Sequence, residues 1–154
     1  MIKKTFITLS FLIIYTFAVK AQTNDNDFNT FWSKFKTAIL SDDAETIADL
    51  TCFPFITGWL SIDNMKDKYD RKDFIAEYKS LVPSKEDMEK IKYSQEVTYK
   101  NEDGTVILNL WKDENGNFIL NLTNDFNGEG MGYSDYTFSK INGEYKLKQL
   151  VLGD

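Results

Sequence analysis

The chain has 154 residues, a net charge of −6, one cysteine and no histidine. That length suits one domain with its own core. The missing histidine excludes Ser-His and Cys-His nucleophilic catalysis and the commonest zinc ligand. The acidic balance argues against nucleic acid as a partner, and a lone cysteine forms no internal disulfide.

The N-terminus has the layout of a signal peptide over residues 1–21: a charged start at Lys3 and Lys4, an apolar run from Thr5 to Val19, and small residues in Val19-Lys20-Ala21. The apolar run is short for a membrane span, so a retained anchor is the lesser reading. A lipoprotein needs cysteine at the first mature position, which is Gln22. The expectation is a single mature domain, 22–154, exported to the periplasm or secreted, with no membrane attachment after cleavage. Cleavage removes three lysines and no acid, taking the charge from −6 to −9. Arg71 is the only arginine, hence the single candidate for bidentate anion recognition.

Phe28, Phe31, Trp32, Phe35, Ala38 and Ile39 recur at intervals of three and four, which predicts an amphipathic helix over about 28–40. Trp32 is expected among its most buried side chains. Asp42 with Glu45 three residues later signals the start of a second helix, about 43–51. Pro54 ends it, and Phe53 before the proline is pushed to an extended shape. Residues 60–69 read as a loop or short strand. Asp70 caps a third helix, 71–82, and Ser84 opens a short turn through Ile91. From Tyr93 the period changes to two. Turn signals at Asp103-Gly104, Asn115-Gly116, 127–132 and Asn142-Gly143 separate five strands near 93–100, 105–112, 117–124, 133–140 and 144–152. Helices followed by an antiparallel meander make one α+β domain.

This order, with the segments "FWSKFKTAILSDD", "AETIADL", "FPF", Gly58-Trp59, "DFIAEY" and "YTFSKINGEYKLKQL", resembles the secreted NTF2-like proteins of Bacteroidetes. The resemblance spans nearly all of the mature chain. It implies a cystatin-like cone, with N-terminal helices packed in a strongly curved antiparallel sheet. Its motifs are structural, so it implies fold more than chemistry. The superfamily includes ketosteroid isomerase-like and dehydratase-like enzymes, pocket-binding modules and dimerisation domains.

Among single residues, Cys52 follows a helix C-terminus, where the dipole disfavours a thiolate, so it reads as a small buried core residue. "TCFPFITGW" as a whole reads as core and entry to the sheet. "DENGN" at 113–117 begins like a calcium loop, but Phe118 stands where glycine is needed and Asn124 where glutamate is needed. It reads as a hairpin, and no metal site is expected. The glycine-rich stretch at 124–135 precedes a strand rather than a helix and is acidic, which suits a connection rather than a phosphate cradle. Asn121-Leu-Thr123 matches a glycosylation acceptor but falls in a strand.

The central hairpin repeats "ILNL" at 107–110 and 119–122. Ile107 and Trp111 share one face, Leu108 and Leu110 the other, so both faces carry large apolar groups. The turns at Asn115-Gly116 and Asp103-Gly104 pull the apolar sets to opposite faces, which calls for a bulge or for two covered faces. The ligand-pocket candidates are Trp59, expected at the pocket mouth, with Tyr78, Tyr99, Asn109, Trp111 and Tyr136. An isomerase would need a carboxylate base and a polarising tyrosine. Asp135 with Tyr136, or Tyr99, supplies the residue types, but no spacing selects them, so no catalytic residues are assigned. The expected function is a non-catalytic exported domain that binds a small apolar or amphipathic ligand in the cone, without a cofactor. The alternative is a protein–protein module, inhibitor or immunity-like, working as a homodimer through its sheet. A lyase or isomerase is the third reading.

Overall fold

The computed structural model describes residues 23–59, 68–92, 95–127 and 130–153. The expected signal peptide lies outside these residues, as do 60–67 and the expected strand start at 93–94. Helix α1 spans Thr23–Leu40 and begins upstream of its apolar stripe. Phe28, Phe31, Phe35, Ala38 and Ile39 are buried. The Phe28 ring stacks on Phe118 at 3.4 Å and meets Tyr145 edge-on at 5.3 Å. On the solvent side Thr30, Ser33, Thr37 and Ser41 donate their hydroxyls to carbonyls one turn back, which satisfies them without core contacts.

The expected burial of Trp32 needs correction. The residue is only half-buried and lies on the margin of the stripe. It stacks against Phe28 at 5.9 Å and meets Phe138 edge-on at 5.6 Å. The stripe axis runs through positions 28, 31 and 35, so the smaller rings fill the interior and the indole covers its edge.

Helix α1 ends in a Schellman turn, with the Asp43 amide bonding the Ala38 carbonyl and the Asp42 amide bonding the Ile39 carbonyl. Asp42 takes the left-handed position, φ 56°. The cap of α2, Ala44–Asp49, is therefore Asp43, one residue later than the sequence signal suggests; its carboxylate accepts from the Thr46 amide. Thr51 starts strand β1, Thr51–Trp59, instead of ending the helix. After β2, Lys68–Tyr69, come α3, Arg71–Leu81, capped by Asp70, and α4, Lys85–Lys90, with a Ser84–Asp87 capping box. Arg71 bridges Glu45 and Asp49 at 2.7 Å each, tying α3 to α2 at the surface.

Strands β3 (Val97–Lys100), β4 (Thr105–Lys112), β5 (Phe118–Asp125), β6 (Met131–Ile141) and β7 (Glu144–Gly153) form the meander. The sheet has seven strands in the order β2-β1-β7-β6-β5-β4-β3. It is α+β with helices held against a strongly curved sheet, as the resemblance implies. One pairing departs from the expected antiparallel pattern: β1 runs parallel to β7. Its register shifts between Thr51 and Ile56. Pro54, which has no amide to donate, sits within that irregular stretch. Cys52 lies there too and is half-buried, which corrects the expectation of a small buried core residue. Alternation places Thr51 and Phe55 inward and leaves the residues between them at the margin.

The hairpins resolve the register conflict. At β4–β5 the Asp113 amide bonds the Asn117 carbonyl, and Gly116 takes φ 82°. This is a three-residue loop closed by a left-handed glycine rather than a two-residue turn. Leu108 thereby faces Leu122, and Leu110 faces Leu120, all inward. Asn142 and Gly143, both at positive φ, make the two-residue turn expected between β6 and β7. A bulge falls between Thr137 and Phe138: Phe138 pairs with Leu147 and Thr137 with Gln149, leaving Lys148 unpaired. The extra residue lets both Leu147 and Leu150 point inward although they are an odd number apart.

Candidate binding surface

The concave side of the sheet is filled. Phe28, Phe35, Phe118, Phe138, Leu108, Leu110, Leu120 and Leu147 are all essentially inaccessible there. The opposite face is built by the other residue set of the same strands. One row reads Ile56, Gln149, Thr137, Ile119 and Trp111 across β1, β7, β6, β5 and β4. The next reads Gly58, Val151, Asp135, Asn121 and Asn109, and the third Gly153, Tyr133, Thr123 and Ile107. Trp111 is 39% exposed and Met131, on the same face, 64%. The phenol ring of Tyr133 lies across Gly153, where an added Cβ would come within 2.3 Å of it. That glycine is what lets the aromatic ring lie flat on the sheet.

A polar stripe crosses this apolar face. The Asn121 amide donates to Asp135 at 2.7 Å, and the Thr123 hydroxyl donates to the Asn121 carbonyl oxygen at 2.9 Å. Asn109 stands directly opposite Asn121, and its side chain makes no hydrogen bond to another described residue. The stripe thus ends in an amide on β4 and a carboxylate on β6.

The pocket candidates read from the sequence do not converge. Asn109 and Trp111 lie on the outer face. Tyr99 and Tyr136 point inward: Tyr99 donates to Asp87 at 2.6 Å, and Tyr136 is buried near the same carboxylate. Burial first, and then the Asp87 bond, pushes the Tyr99 phenol up; burial and the Asp87 charge do the same to Tyr136. Asp87 also accepts from the Ser84 hydroxyl at 2.6 Å and the Ser84 amide at 3.2 Å, so the cluster ties α4 to β3. Tyr78 lines a separate cavity among α1, α3 and α4. Trp59 ends β1, and its side chain lies outside the described residues. Asp135, offered as a base beside Tyr136, faces away from it, because neighbours on a strand point to opposite faces. Sequence reasoning took Asp42 only as a helix start and passed over Lys79, Lys85 and Asp87, which the fold brings to the Tyr78 cavity and to the Tyr99 bond. Only Asp87 carries a local signal, the Ser84–Asp87 capping spacing.

No family model matches the chain, and no curated protein matches it. Among solved structures it is similar to an NTF-2 like protein of unknown function from Burkholderia xenovorans LB400, with 12% identity and a TM-score of 0.44, covering 84% of this chain and 83% of that one. It is also similar to a DUF4783 family protein from Bacteroides fragilis YCH46, with 10% identity and a TM-score of 0.41, covering 79% and 95%. A protein of unknown function with a cystatin-like fold from Nostoc punctiforme has 12% identity and a TM-score of 0.39, covering 84% and 89%. These likenesses concern the fold alone.

Proposed function

We propose that the domain is a non-catalytic binding module that works as a homodimer through the outer face of its sheet. The observation that carries this reading is the face itself: Trp111 and Met131 are exposed on it and Ile107, Ile119, Tyr133 and Val151 half-buried, with no helix among the described residues packed over them. Exposed apolar area of this kind marks an interaction surface. With strands ~4.8 Å apart and same-face residues ~6.8 Å apart, five strands and three rows span on the order of 500 Å². A specific interface buries about 800 Å² per partner, so the face with its rim, Met131 included, approaches the required size.

The polar stripe favours a second copy. A two-fold axis lying in the interface along β5 brings Asn109 of one copy opposite Asp135 of the other. The same axis sets Ile107 against Tyr133. An isologous contact of this kind pairs donor with acceptor twice, with Asn121 on the axis and Ile119 beside it one row away. The filled concave side argues against a ligand at the centre of the cone. The composition argues against catalysis by the histidine-dependent routes. The charged start, apolar run and Val19-Lys20-Ala21 pattern support action outside the cytoplasm.

Sedimentation velocity on the purified chain tests the association. The expected result is a species of twice the chain mass, converted to monomer by Trp111→Glu with an unchanged far-ultraviolet spectrum. A wild-type protein that stays monomeric at its highest soluble concentration overturns the reading.

A further inference from the structure

On the helical side, away from the sheet face, the end of α1, α3 and the segment into α4 surround a cavity of about 400 Å³. Its apolar lining is Ile39, Val82 and Pro83; Asp42, Tyr78, Lys79, Ser84 and Lys85 supply its polar groups. Three donors converge on one carboxylate there. Lys85 Nζ and the Tyr78 hydroxyl, at 3.3 Å, bond to Asp42, and Lys79 Nζ stands 3.8 Å from it. Two ammonium groups against one carboxylate leave a surplus positive charge, in a chain whose net charge is −6.

Asp42 occupies a position whose backbone tolerates aspartate but whose helix dipole does not favour it. Its φ of 56° suits glycine best and asparagine or aspartate next at the end of a helix. A carboxylate there also lies at the negative end of the α1 dipole. What the residue supplies is a resident anion that gathers Lys85, Lys79 and the Tyr78 phenol at the rim of an apolar hollow. Those bonds, the Lys85 bond foremost, hold its carboxyl below the usual carboxylate range.

We propose that this cavity binds a small amphipathic carboxylate. The ligand's carboxylate takes the place of Asp42 on Lys85 and Lys79, and its hydrocarbon body lies on Ile39, Val82 and Pro83. The volume falls within the range of small-molecule sites, and the layout joins an apolar floor to a rim of polar groups that can fix a head. The lysines select the head and reject a cationic one, while a bare inorganic anion leaves the apolar hollow unfilled. This site is independent of the sheet face, so the two proposals stand or fall separately.

Decanoate, decanol and decyltrimethylammonium share a tail and differ in the charge of the head. Each is titrated into the isotope-labelled chain below its micellar range and followed by amide chemical shifts. Decanoate is expected to shift Ile39, Asp42 and residues 78–85 saturably, with the other two leaving them in place. Lys85→Gln should weaken decanoate about tenfold, the loss expected for one charge-assisted hydrogen bond. Asp42→Asn keeps a side chain that tolerates left-handed φ and removes the competing charge, so it should tighten decanoate severalfold while the fold persists. A purely structural ion pair would give no such gain. Decanol binding as well as decanoate, an Asp42→Asn variant of unchanged affinity, or decanoate shifts confined to the sheet face would each overturn the proposal.

Discussion

Replacing Phe28 by alanine removes the ring that joins helix to sheet. Phe28 is 1% exposed, and its ring lies 3.4 Å from that of Phe118, 5.3 Å from Tyr145 and 6.1 Å from Phe138. These partners come from β5, β6 and β7, which are rigid in the sheet and cannot close over the hole. Truncating a buried phenylalanine costs about 3–5 kcal/mol, against the roughly 5–15 kcal/mol that holds a domain together. At roughly 3 °C per kcal/mol for a domain of this size, the midpoint should fall by about 10–15 °C. Trp32→Ala removes a larger side chain, but one that is only half-buried, so its loss should be about half as great. Thermal unfolding followed by circular dichroism separates the two. The packing argument fails if Trp32→Ala melts lower than Phe28→Ala, because the indole would then be the element seated in the sheet.

Cys52→Ala should lower stability by no more than about 1 kcal/mol, because the thiol is only half-buried at an irregular stretch of β1, and denaturant melts check this. Gly116→Ala meets no neighbouring atom but must hold φ 82°, so it should cost about 1–2 kcal/mol from backbone strain alone. The raised phenols set an alkaline limit. Tyr99 and Tyr136 hold their protons more tightly in the folded state than at the ordinary value of 10.0, so their contribution is full below that pH and is lost as pH rises above it. Tyr99→Phe should flatten the alkaline limb of the stability profile while lowering stability at neutral pH. With no histidine to titrate, the profile should be nearly level between about pH 5.5 and 8.5; a step there would contradict the assignment.

Local chemistry made most of this fold legible. The phenylalanine stripe, the Asp70 and Ser84 caps and the Asn142-Gly143 turn are short-range signals, and the elements they mark form where the residues indicate. What stayed hidden depends on partners distant in sequence or on single backbone choices. The parallel pairing of β1 with β7 has no connecting turn to announce it. The bulge at Lys148 shows only as a slip in the alternation of Leu147 and Leu150. Asn115-Gly116 permits either a two-residue or a three-residue hairpin, and the leucine pairs on the concave side select the latter. The site was less legible still. Tyr99, Asn109, Trp111 and Tyr136 have suitable side chains, but their faces follow from register, which was the unsettled quantity, and Tyr78 on α3 faces a different cavity. Asp42, Lys79 and Lys85 meet because Asp42 takes the left-handed position after α1 instead of capping α2, beside α3 and the start of α4, partners distant in sequence.

The most direct test of the central claim is an isotope-filtered nuclear Overhauser experiment on a one-to-one mixture of labelled and unlabelled protein. The two-fold arrangement along β5 predicts intermolecular contacts from the Ile107 methyls of one copy to the Tyr133 ring of the other, with further contacts from the Trp111 indole to the β6 and β7 side of the facing sheet. Intermolecular contacts from the helical side alone, or none at a concentration where the mass is twice that of the chain, would contradict it.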